Sequence, residues 1–116
     1  PSGKTGGRNI VLSDEAVLFF KRISKGRKGT EPLLVRADGK RWGKSQQARR
    51  MKKALKAAEL DTKATFYALR HTYVSRAIEN GMPTLVIAEN CGTSTRMIET
   101  HYKHLFVEKR RAWINK

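Results

Sequence analysis

The chain has 116 residues, the length of one small domain or of a piece of a larger one. Its 25 Lys and Arg against 10 Asp and Glu leave a net charge of +15, which points to a polyanionic partner, nucleic acid ahead of an acidic membrane surface. No run approaches the roughly 20 apolar residues of a membrane span and nothing at the start is laid out as a signal peptide. A single cysteine, Cys91, excludes an internal disulfide and a cysteine-based zinc site, so a cytoplasmic setting is the expectation.

In chain order, the Gly- and Lys-rich start Pro1–Arg8 leads into the apolar run Ile10–Leu12, which reads as a hairpin turn entering a strand over about residues 1–12. Ser13-Asp14-Glu15 then has the form of a helix N-terminus, a capping hydroxyl followed by two acids that the helix dipole favours. Ala16, Leu18, Phe19, Phe20 and Ile23 make the apolar side of that helix, which ends near Gly26. Pro32–Val35 is a brief apolar run before the turn Ala37–Lys40. From Ser45 to Leu60 the residues are strong helix formers, with Met51, Leu55 and Ala58 facing inward and Arg49, Arg50, Lys52, Lys53 and Lys56 in solvent.

A helix from Phe66 to Asn80 is stopped by Gly81 and Pro83, and its spacing suggests a buried stripe of Phe66, Leu69, Tyr73 and Ala77. Tyr67, Arg70, His71 and Val74 fall on the neighbouring face. A short helix covers Thr84–Asn90. Another begins at Ser94 or Thr95, turns Met97 and Ile98 inward and reaches Tyr102. A last helix over Phe106–Asn115 would use Phe106 and Trp113 as anchors, and Trp42 likewise reads as a packing residue. The expected fold class is mainly α with a small β-hairpin or strand element, α+β.

Two residues could carry chemistry. A guanidinium at the edge of an apolar face, as at Arg70, can clamp two phosphate oxygens with its planar fork. A phenol such as Tyr102 has an ordinary pKa of about 10, so it acts as a nucleophile near neutral pH only with cationic surroundings or a base. Taken singly, each has a plainer reading: an exposed or ion-paired arginine, and a tyrosine that fills space.

Together and in order they resemble the tyrosine recombinases of the phage integrase family. Leu69-Arg70-His71-Thr72-Tyr73 is similar to that family's arginine box, Gly92 matches its conserved-pattern glycine, and Tyr102 sits nine residues after Thr93, where the family has its nucleophile. Gly3–Arg8 with Ile10–Ser13 resembles the family's β-hairpin, with Lys4 at the position of its proton-donating lysine. The resemblance implies a truncated tyrosine-recombinase catalytic-domain fold over residues 1–116. It also implies cleavage and rejoining of double-stranded DNA through a 3′-phosphotyrosyl link, without metal or other cofactor. Tyr102 would be the nucleophile, Arg70 the phosphate clamp and Lys4 the acid, with Tyr67 and Thr93 donating hydrogen bonds.

Arg49, Arg50, Lys52, Lys53 and His71 are candidate DNA contacts, and self-association into a four-protomer synapse is implied as well. Tyr67 stands where histidine is usual in the family, and Thr93 where histidine or tryptophan is common; neither is a proton shuttle near neutrality. The family's first catalytic arginine precedes the hairpin. The resemblance therefore leads to the expectation of a C-terminal catalytic part, without the core-binding domain, that is inactive alone.

The weaker signals point elsewhere or nowhere. Gly3-Lys4-Thr5 lacks the earlier glycine and strand of a phosphate-binding loop. His71, His101 and His104 have no acidic or cysteine partners at metal-ligand spacing. The basic run Arg49–Lys56 either tracks phosphates or is a solvated helix face. The rival class is a non-catalytic basic module that binds nucleic acid by charge alone.

Overall fold

The computed structural model describes residues 7–116, and Lys4 and the expected hairpin turn lie outside them. Six helices follow one another among the described residues: α1 (Asp14–Ile23), α2 (Gln46–Ala57), α3 (Phe66–Glu79), α4 (Thr84–Cys91), α5 (Thr95–His101) and α6 (Lys103–Ile114). Among the described residues no helix is long and apolar enough to cross a membrane. The described residues divide into two compact units, Leu12–Phe66 and the remainder, which joins residues 7–11 with Tyr67–Lys116.

In the Leu12–Phe66 unit, Ser13 caps α1, its Oγ accepting from the Ala16 amide at 3.2 Å. Asp14 and Glu15 occupy the first turn and Lys21 and Arg22 the last, each sign at the helix end that favours it. Gly39 (φ +79°) turns the chain after Arg36, and Asp38 holds that turn by pairing with the Arg36 guanidinium and accepting from the Lys40 amide at 3.0 Å. Leu55 is the one described residue of this unit that is buried. Arg49, Arg50, Lys52, Lys53 and Lys56 all lie in solvent. The unit is thin in apolar burial: Leu18 and Phe19, expected inside, are exposed, as are Ala58 and Trp42.

The other unit holds the core. Val74, Ala77 and Ile78 of α3, Ile87, Ala88 and Cys91 of α4, Ile98 of α5 and Tyr102 form one buried cluster, with Met82, Leu105 and Phe106 packed against it. α4 packs on α5, and α5 on α6.

Two glycines end their helices in the left-handed conformation that a residue without Cβ adopts freely. At Gly81 (φ +80°) the Met82 amide reaches back to Ala77 O at 2.9 Å and the Gly81 amide to Ile78 O at 3.0 Å. At Gly92 (φ +69°) the Thr93 amide reaches Ala88 O at 2.9 Å and the Gly92 amide Glu89 O at 3.3 Å. Both are Schellman closures, which satisfy the last carbonyls of a helix and turn the chain sharply.

Several expectations are corrected. Among the described residues there is no strand, so the molecule is all-helical there. Ile10–Leu12 has no neighbouring strand to pair with. Instead the Asn90 side-chain amide serves both sides of Val11, its Oδ1 accepting from the Val11 amide at 2.8 Å and its Nδ2 donating to the Val11 carbonyl at 3.1 Å. One amide thus supplies the hydrogen bonds of a single ladder rung.

On α3 the buried face is not Phe66, Leu69 and Tyr73, which are exposed, but Val74, Ala77 and Ile78. Two offset stripes of similar apolar character run along this helix, and the one that turns inward is the one that meets α4 and α5. Met97 is exposed while Ile98 is buried, and Trp113 is 64% exposed rather than an anchor. α6 begins at Lys103, three residues before the expected start, because the chain breaks at Tyr102 and recoils at once.

Candidate active site

The inward stripe of α3 continues past the core toward the helix N-terminus through His71, Arg70 and Tyr67, at the 3–4 spacing that keeps a face aligned. The first residues of the stripe beyond Val74 therefore stand at the rim of the core. Tyr67 there is 59% exposed and His71 is also exposed, while Arg70 is half-buried.

Tyr102 approaches this rim from the other side. It is the joint between α5 and α6, with φ −117° and ψ 25°, closing one helix and opening the next. Its amide donates to Ile98 O at 3.0 Å and its carbonyl accepts from the Leu105 amide at 3.0 Å, so its backbone is held from both helices. The side chain is 8% exposed and belongs to the core cluster, yet its hydroxyl reaches the rim. The Tyr102 Oη to His71 Nδ1 distance is 2.6 Å. The phenol donates to an unprotonated Nδ1 or accepts from a protonated one.

The edge of the Tyr67 ring packs against His71, with ring centroids 4.9 Å apart at an angle of 69°. Arg70 leans over the Tyr67 ring, Cζ 5.9 Å from its centroid. Arg70 Nη1 donates to the Cys91 carbonyl at 2.6 Å. That carbonyl belongs to the last turn of α4, where the Schellman closure uses the Ala88 and Glu89 carbonyls and a cation meets the negative end of the helix dipole. Among the described residues no other protein acceptor engages the guanidinium, so the rest of its planar fork is uncommitted.

Burial holds the Tyr102 phenol above its ordinary range, with a further push from Tyr67 and Cys91, while the Arg70 charge opposes the rise. Deprotonation of this hydroxyl is therefore uphill near neutral pH, and the nearby cation is the group that lessens the cost.

Of the residues singled out from sequence, Tyr67, Arg70 and Tyr102 come together, and His71, expected as a DNA contact, is the direct partner of the tyrosine. Thr93 sits in the α4–α5 turn; its amide closes α4, and its hydroxyl makes no hydrogen bond among the described residues. Arg49, Arg50, Lys52 and Lys53 belong to the Leu12–Phe66 unit, and Lys4 lies outside the described residues.

Two neighbours were not anticipated. Arg8 lays its guanidinium on Gly92, where an added Cβ would stand 2.6 Å from its Cζ. Asn90 bonds Val11 and donates to the Tyr73 hydroxyl at 3.2 Å. A basic residue beside the glycine-rich start was the available hint for Arg8; nothing local marks Asn90.

The model of the phage integrase family matches residues 2–109. The chain belongs to that family. Phage integrases are tyrosine recombinases, DNA-binding enzymes of site-specific recombination, and the match spans both α3 and Tyr102. Comparison with curated proteins and with solved structures returns no match.

Proposed function

We propose that this integrase chain carries the tyrosine that cleaves and rejoins double-stranded DNA, with Tyr102 as nucleophile and Arg70 as its phosphate clamp. The observation that carries the reading is the 2.6 Å contact of Tyr102 Oη with His71, which brings the phenol to the turn of α3 that bears Arg70. Attack of Oη on a backbone phosphate gives a 3′-phosphotyrosyl link and a free 5′-hydroxyl. The reverse attack by a 5′-hydroxyl reseals the strand and conserves the bond energy, as covalent catalysis in two steps does.

The pentavalent transition state gathers negative charge, and a guanidinium already oriented by the Cys91 carbonyl can stabilise it without further reorganisation. Lys4 acts as acid toward the leaving 5′ oxygen, while Tyr67 and Thr93 donate hydrogen bonds to phosphate oxygens. Arg49, Arg50, Lys52 and Lys53 follow the DNA backbone, and recombination of two duplexes calls for self-association of the protein into a synapse.

A nicked suicide substrate, from which the 5′ fragment diffuses away, traps the covalent step. The protein expressed from its complete reading frame is expected to form a DNA adduct that disappears in Tyr102→Phe, while salt-sensitive DNA binding survives. Arg70→Ala is expected to slow adduct formation by on the order of 10²–10³, the cost of losing one oriented charge-stabilising donor. An adduct that persists in Tyr102→Phe, or binding without any adduct in the wild type, would leave only charge-driven binding.

A further inference from the structure

We propose that His71 is the general base of the cleavage step, its Nδ1 taking the Tyr102 hydroxyl proton as the phenolic oxygen attacks phosphorus. The inference rests on the strand-transfer reading above and assigns a role within it to a residue that the arginine box does not mark as catalytic. Geometry comes first: a separation of 2.6 Å lies within the reach required of a group that removes a proton.

The local chemistry needs such a group. Burial disfavours the phenolate, so Tyr102 does not ionise unaided near neutral pH. Tyr67 and Thr93 cannot accept a proton in that range. An imidazole ring nitrogen carries a lone pair for it and can.

His71 is also held for the task. The Tyr67 edge packs against one side of its ring, and the Val74–Ile78 segment of the same helix is locked in the core. Among the described residues, the titratable and charged groups that act on Tyr102 are Tyr67 and Arg70 on α3 and Cys91 at the end of α4. Arg70 is turned to the Cys91 carbonyl and offers no lone pair, which leaves the imidazole as the acceptor in contact with Oη.

The step balances. The Oη–H bond breaks with its proton passing to Nδ1, and the electron pair on Oη forms the bond to phosphorus. The P–O5′ bond breaks with its electron pair on O5′, which takes a proton from a separate acid, Lys4 or water. On resealing, the imidazolium returns its proton to the departing phenolic oxygen.

Single-turnover adduct formation, with the protein expressed from its complete reading frame and the suicide substrate, tests the role. His71→Ala and His71→Gln are both expected to lose on the order of 10²-fold or more in rate with the DNA saturating. The loss should persist on a 5′-bridging phosphorothiolate substrate, whose leaving thiolate needs no proton. Imidazole in the buffer should restore part of the rate to His71→Ala.

A wild-type rate in His71→Gln would reduce His71 to a positioning hydrogen bond and overturn the proposal. Recovery of both variants on the phosphorothiolate would instead make it the acid, and overturn it equally. Absence of any adduct in the wild type would defeat the strand-transfer reading itself, whereas a wild-type adduct unaffected by His71→Ala defeats this inference alone.

Discussion

At the residue scale, Tyr102 is asked to be both a core side chain and a nucleophile, and its ionisation records the tension. Its pKa is raised in the folded chain by burial, so the fold favours the protonated phenol. The stability this contributes is present below the ordinary tyrosine value of about 10 and is lost as pH climbs from there through the higher folded value. Thermal melting followed upward from pH 9 is expected to show a steeper alkaline loss in the wild type than in Tyr102→Phe, which has no phenol to ionise. Parallel curves would mean that the hydroxyl is no more shielded in the fold than in the unfolded chain. Arg70 shows the complementary arrangement, since its contact with a helix-terminal carbonyl orients the charge without neutralising it.

At the element scale, the site depends on short helices that could not persist alone. α5 has seven residues, below the length at which an isolated helix is stable in water, so it relies on its cap and on Ile98 in the core. Ser94 Oγ accepts from the Met97 amide at 3.1 Å. Replacing Ser94 by Ala is expected to cost about 1 kcal/mol in denaturant unfolding, and by Gly only a few tenths. Equal losses for both would assign the effect to something other than the cap.

The helix ends are also where sequence was most readable. Ser13, Ser94, Gly81 and Gly92 act through their own backbone and nearest neighbours, and each does what its chemistry suggests. The inward face of α3 was not readable, because Phe66-Leu69-Tyr73 and Val74-Ala77-Ile78 are both plausible stripes and the choice belongs to α4 and α5. The Asn90–Val11 pairing and the His71–Tyr102 bond join residues 79 and 31 apart, separations at which local patterning carries no signal. Arg70 and Tyr102 could be picked out as a pair from their order and context, whereas the contact of His71 with Tyr102 needed three dimensions.

At the scale of the whole molecule, the net charge of +15 is the dominant fact outside the site. It makes binding to DNA sensitive to salt, because each phosphate neutralised releases condensed counterions. The exposed α2 cations Arg49, Arg50, Lys52 and Lys53 are expected to share in this. Replacing all four by Gln should flatten the slope of log K against log salt by about 0.9 for every phosphate contact removed. An unchanged slope would make that helix a solvated face and move the DNA contacts elsewhere.

The most direct measurement is made on the covalent complex itself. After nuclease and trypsin digestion of a trapped adduct, mass spectrometry can locate the residual phosphonucleotide. It is expected on Tyr102, within the peptide Met97–Lys103 that cleavage after Arg96 and Lys103 releases. A phosphonucleotide on Tyr67 or Tyr73 instead would contradict the assignment of the nucleophile.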